Sequence, residues 1–176
     1  MSLRHFFIAS SLILAPITTL GFGSAAFAGT DSTNIILSGT VESLIEIDAT
    51  ATTAASALPL SPGYAGQDGS TTVHIADLDI TSNNIAGITI TASSVKAGKL
   101  VGDNEEEIPY TIAIVNDGTG TPTSTTSVSS LNHNVQGFDF DSQSGIKSMD
   151  LYIKYSVVGL KMGDYSDTLI ITVSDK

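Results

Sequence analysis

From Asn34 to Asp48 the chain reads NIILSGTVESLIEID. Ile35, Leu37, Gly39, Val41, Ser43, Ile45 and Ile47 fall on one parity, and Asn34, Ser38, Thr40, Glu42, Glu46 and Asp48 on the other. A strand sends successive side chains to opposite faces, so this pattern predicts one apolar strand face kept in register for about 13 residues. Such a strand is well beyond the usual five or six residues. Similar alternation recurs at Thr71–Ile80, Gly87–Ala92, Ile108–Val115, Met149–Val157 and Tyr165–Ser174. Within Thr71–Ile80 the apolar parity changes from Val73 and Ile75 to Leu78 and Ile80. That slip predicts a bulge or a break near Ala76-Asp77. Between these runs lie turn-rich stretches: Ala49–Pro62, Gly63–Ser70, Ser82-Asn83-Asn84, Lys96–Glu107, Asn116–Thr126 and Gly159–Asp164. Ser127–Phe140 fits neither period. No stretch of the remaining chain sustains a helical period, and β-branched Ile, Val and Thr dominate the runs. The expectation is an all-β antiparallel sandwich of about seven strands.

The first 28 residues differ. Arg4 and His5 precede a mostly apolar Phe6–Leu20, and Ala26-Phe27-Ala28 fits a small-x-small cleavage pattern. This predicts a secretory signal, residues 1–28, rather than a membrane anchor, because Pro16 and the Ser/Thr content break the run. The expected organisation is 1–28 signal peptide, 29–48 N-terminal strand and 49–176 sandwich, exported through the secretory pathway. Cleavage removes Arg4 alone among the charged residues. The basic count falls from seven to six against eighteen Asp and Glu, and the net charge goes from −11 to −12. That balance argues against nucleic acid and anionic membranes, both of which reward Lys and Arg. There is no Cys, which removes disulfide scaffolds, thiol catalysis and Cys-based zinc sites.

Candidate chemistry is sparse. His74 and His133 sit in unrelated segments, and no HExxH, GxSxG or P-loop pattern occurs. The expectation is a non-enzyme with no cofactor and no metal. Two acidic runs, Asp139–Gly145 and Asp103–Glu107, are candidate calcium loops. The first lacks the EF-hand's glycine and closing Glu, and charged loop runs are ordinarily solvated. The long first strand has two readings: it pairs within its own domain, or it adds to the sheet edge of a neighbour.

NIILSGTVESLIEID resembles the mature N-terminal segment of colonisation-factor-antigen-type (alpha-class) fimbrial major subunits. Met162-Gly163-Asp164-Tyr165-Ser166-Asp167-Thr168-Leu169-Ile170-Ile171-Thr172-Val173 resembles the closing strand of secreted pilin-like domains, including spore-coat-U-type proteins. The lack of Cys is similar to the first group and departs from the second. The resemblance implies an incomplete immunoglobulin-like sandwich. It implies a fimbrial subunit, with a role in adhesion or biofilm, polymerised with copies of itself by N-terminal donor-strand exchange. A periplasmic chaperone and an outer-membrane usher would be its partners, and the cell surface its destination. By the same resemblance Ile35, Leu37, Gly39, Val41, Ile45 and Ile47 belong to the donor strand. Tyr165, Leu169, Ile171 and Val173 form a wall of the acceptor groove. The alternative is a monomeric secreted binding module with 34–48 as its own first strand and loops such as Asp103–Glu107 or Asn116–Thr126 as its binding surface.

Overall fold

The computed structural model describes residues 33–66, 68–103, 105–138 and 145–176. The predicted signal peptide, 1–28, and nearly all of the Asp139–Gly145 run lie outside the described residues. The chain divides into two units, 1–39 and Thr40–Lys176. In the first, the described residues 33–39 have no regular secondary structure.

The second unit contains ten strands among its described residues: β1 (Ile45–Ala51), β2 (Ser70–Ser82), β3 (Ile88–Ser94), β4 (Lys99–Gly102), β5 (Glu107–Asn116), β6 (Thr126–Ser127), β7 (Asn132–Val135), β8 (Gly145–Ser156), β9 (Tyr165–Ser166) and β10 (Leu169–Asp175). Every pairing is antiparallel. One sheet runs β1-β2-β8-β5-β4-β9, with β6 also on β5, and the other runs β10-β3-β7. The only α-helix among the described residues is the single turn Thr53–Ser56. The all-β sandwich expected from the alternation is therefore the fold. Three of the ten, β4, β6 and β7, fall outside the runs read from the alternation, because their two to four residues leave too little pattern to read, and β9 and β10 divide the single run Tyr165–Ser174.

Alternation places the core. Along β8 the side chains of Met149, Leu151, Ile153 and Tyr155 are buried in one cluster with Leu78 and Ile80 of β2 and Ile112 and Ile114 of β5. Ile88 and Ile90 of β3 close over them from the second sheet. Each fully buried Ile or Leu contributes about 1.5–3 kcal/mol. The predicted register slip in β2 is present, displaced by a residue or two: the β2–β8 pairing shifts between His74 and Ala76. Pro109, which cannot donate to a ladder, stands at the start of β5, one residue before the β8 pairing begins at Tyr110.

Two differences from the sequence expectation concern the ends. The long first strand is shorter and later: residues 33–44 have no strand assignment, and β1 begins at Ile45 and continues to Ala51, into the stretch expected to be loop. The hydrophobic period extends further than the pairing because β2, its partner, ends at Ser82 opposite Ile45. The closing run Tyr165–Ser174 is interrupted. Asp167 turns its carboxylate onto the backbone N–H groups of Lys96 (3.0 Å) and Thr168 (2.6 Å), so β9 pairs with β4 while β10 pairs with β3.

Candidate functional site

The residues implicated by pattern fall into three places. Ile35, Leu37 and Val41 are 80%, 90% and 87% exposed. Gly39 has no atom within 4 Å of where a Cβ would stand. Ile45 and Ile47 instead lie in β1, opposite Ser82 and Ile80 of the chain's own β2, and pack half-buried against the core. The six residues of the expected donor strand are thus split: four precede the fold's first strand and two belong to it.

The join between these groups is tied down by Ser82-Asn83-Asn84, a punctuation in the sequence and a hub in the structure. The Asn83 side chain accepts from the Leu44 N–H (2.8 Å) and donates to the Glu42 carbonyl (2.8 Å). The Asn84 amide donates to Asp175 (2.8 Å), whose other carboxylate oxygen accepts from the Ser43 hydroxyl (2.6 Å). These bonds, with Ser43 first, hold the Asp175 carboxyl below its ordinary range. Asn and Ser suit this work because short polar side chains reach nearby backbone groups.

The third place is β10. It pairs with β3 along one side from Leu169 to Asp175, and among the described residues no ladder forms on its other side. Leu169, Ile171 and Val173 turn toward the core yet remain half-buried, whereas Ile88 and Ile90 on the neighbouring β3 are fully buried. Apolar cover therefore fades toward the open edge. At one end of that edge is a groove of about 190 Å³ lined by Leu58, Ile75, Leu100, Tyr110, Asp167 and Leu169. An apolar space of about 150 Å³ takes a benzene-sized group, so this groove has room for a branched aliphatic side chain. Tyr165, in β9, lines the adjoining space that shares Leu58, Leu100 and Asp167 with this groove, its hydroxyl donating to Glu106 (2.6 Å).

Asp167 fixes the geometry of this end. Its carboxylate accepts from the Tyr110 hydroxyl (2.8 Å), the Ser94 hydroxyl, and the two N–H groups already named. Burial pushes its pKa up, but the bonds from Ser94, Tyr110, Lys96 and Thr168 outweigh that and hold it below the ordinary value. Burial, reinforced by the bond to Asp167, pushes the Tyr110 phenol up to about 12, so it remains a donor. The carboxylate thereby ties β5 of one sheet to β3 and β10 of the other.

His74 and His133 do not meet: His74 is in β2 and His133 in β7, on different sheets. Burial lowers the His133 pKa. One constellation was missed by pattern reading. His74, Asp77 and Asp150 bring one ligand atom each within 4.8 Å of one another. The parity slip in β2 was its available signal, since a bulge re-aims the side chains beside it. Among the described residues no helix is long and apolar enough to cross a membrane. Comparison with known protein families and with curated proteins finds no match to this chain.

Proposed function

We propose that this chain is a structural subunit of a bacterial surface fibre, in which residues 34–43 of one copy add to the open edge of β10 in the next. The observation that carries this reading is a complementary pair within one chain. An exposed run with Ile35, Leu37 and Val41 on one parity accompanies an unpaired strand edge whose apolar face, Leu169, Ile171 and Val173, is only half covered. Strand addition satisfies both: backbone hydrogen bonds supply affinity, and alternate side chains fill the groove. Three buried aliphatic side chains contribute about 1.5–3 kcal/mol each. A head-to-tail contact of this kind does not close and so builds a fibre. In this reading Ile45 and Ile47 stay in the home strand, and the donor is shorter than the alternation suggests. An open apolar edge is an aggregation hazard during export, which fits the need for a periplasmic chaperone and an outer-membrane usher. Adhesion or biofilm formation at the cell surface is the role proposed for the fibre.

A second reading is favoured by one observation, the pairing of β1 with β2 over seven consecutive positions. It makes the chain a monomeric secreted binding module whose first strand is its own. The experiment that separates the two is size exclusion with negative-stain microscopy on chain 29–176 and its Leu37→Asp and Val41→Asp variants. Fibres or ladders from the parent, absent from both variants, support the donor reading. A stable monomer from all three refutes it and leaves the binding module.

A further inference from the structure

We propose that the outer face of the larger sheet carries a divalent-cation site built from His74, Asp77 and Asp150, selective for zinc over calcium. It is independent of the fibre reading, because none of its ligands lies in 34–43 or β10.

The site exists because of the bulge. In a regular strand, residues three apart point to opposite faces. The shift between His74 and Ala76 inserts one residue, so His74 and Asp77 come to the same face, with His74 Nε2 3.3 Å from Asp77 Oδ1. Asp77 and Asp150 are directly opposed across the β2–β8 ladder. Like charges at opposed positions destabilise a sheet. At the next such position along this face the sheet avoids the problem, since Ser148 donates to Asp79 at 2.6 Å. Asp150 has no comparable relief: its side chain is only 9% exposed, and among the described residues no hydrogen bond reaches its carboxylate. His74 Nε2 lies 3.7 Å from it, and a carboxylate oxygen of Asp77 lies within 4.8 Å. Two facing carboxylates, one of them with little access to solvent, favour a cation between them.

The geometry suits a small tetrahedral ion. Zinc bonds to nitrogen and carboxylate oxygen of about 2.0–2.2 Å place tetrahedral donors about 3.3–3.6 Å apart. The two distances from His74 Nε2 bracket that range. The third lies within 4.8 Å, and Asp77, 59% exposed, is free to swing inward. The His74 ring is held by Tyr152, stacked with centroids 5.0 Å apart. Without metal, Nε2–H faces the Ala76 carbonyl at 3.0 Å. Binding moves that proton to Nδ1 through solvent and frees the Nε2 lone pair. An imidazole with only two carboxylates favours zinc, whereas calcium seeks six to eight oxygens.

The test is isothermal titration of the purified chain with zinc chloride, repeated with calcium chloride and with His74→Ala, Asp77→Asn and Asp150→Asn, each checked for fold by circular dichroism. One zinc per chain, weakened about tenfold or more in the folded variants, with no saturable calcium binding, is expected. No saturable zinc binding overturns the proposal. So does zinc binding unchanged in Asp77→Asn, whose exposed side chain can be altered without disturbing the core. Calcium binding as tight as zinc overturns it too, because His74 would then have no role.

Discussion

Replacing Asp167 with Ala tests whether one carboxylate holds the end of β10 in place. The substitution strands four donors: the hydroxyls of Tyr110 and Ser94 and the N–H groups of Lys96 and Thr168. A hydrogen bond to a charged group is worth about 1.5–3 kcal/mol net, and an unmade buried one costs about 1–3 kcal/mol. Thr168 is exposed and turns to water, while Tyr110 is buried. Counting mainly the Tyr110 and Lys96 partners, the loss is about 2–4 kcal/mol. With a urea slope of about 2 kcal/mol/M, the unfolding midpoint falls by about 1–2 M. The charge itself is tested by Asp167→Asn, which keeps the shape. Because the folded-state pKa of Asp167 is lowered, its contribution is fully present above the unfolded value, about 3.9. It is lost as the pH falls through the folded value. The stability gap between the parent and Asp167→Asn therefore narrows from pH 7 toward pH 3. Urea unfolding followed by far-ultraviolet circular dichroism at both pH values measures it. A midpoint for Asp167→Ala within 0.25 M of the parent (about 0.5 kcal/mol at that slope), or a gap for Asp167→Asn that does not change with pH, refutes the reasoning.

Ile112 is fully buried between the sheets, so Ile112→Ala costs about 2–5 kcal/mol, read as a lower denaturant midpoint at unchanged slope. Gly87 has φ +92°, and a Cβ there would stand 2.2 Å from the Val135 carbonyl oxygen. Gly87→Ala therefore forces β3 and β7 apart as well as straining the backbone, at a cost above about 1–3 kcal/mol; calorimetry on a monomeric background measures it. Val41→Asp, at an exposed position, shifts the monomer's stability by no more than about 0.5 kcal/mol. Any loss of assembly in that variant then reports on the contact between copies; a large fall in melting temperature would remove that interpretation.

Alternation alone settled the fold class and most of the strand faces. Along β8, Met149, Leu151, Ile153 and Tyr155 went inward and Lys154 outward as the period of two requires. The bulge in β2 was legible for the same reason, as a change of parity. Where a strand ends was not legible, because that depends on its partner. The run from Asn34 keeps its period, yet the ladder starts only at Ile45, where β2 stops. Nor did the pattern reveal the break at Asp167, which comes from one carboxylate gathering donors from two distant segments, Ser94 with Lys96 and Tyr110. The His74–Asp77–Asp150 cluster lies further still from sequence reach. Its members are separated by as many as 76 positions, and the β2–β8 register, one residue out of step at the bulge, brings them together. Period is a local property of the chain, whereas register and edge are properties of pairs of strands, and only the folded molecule sets those.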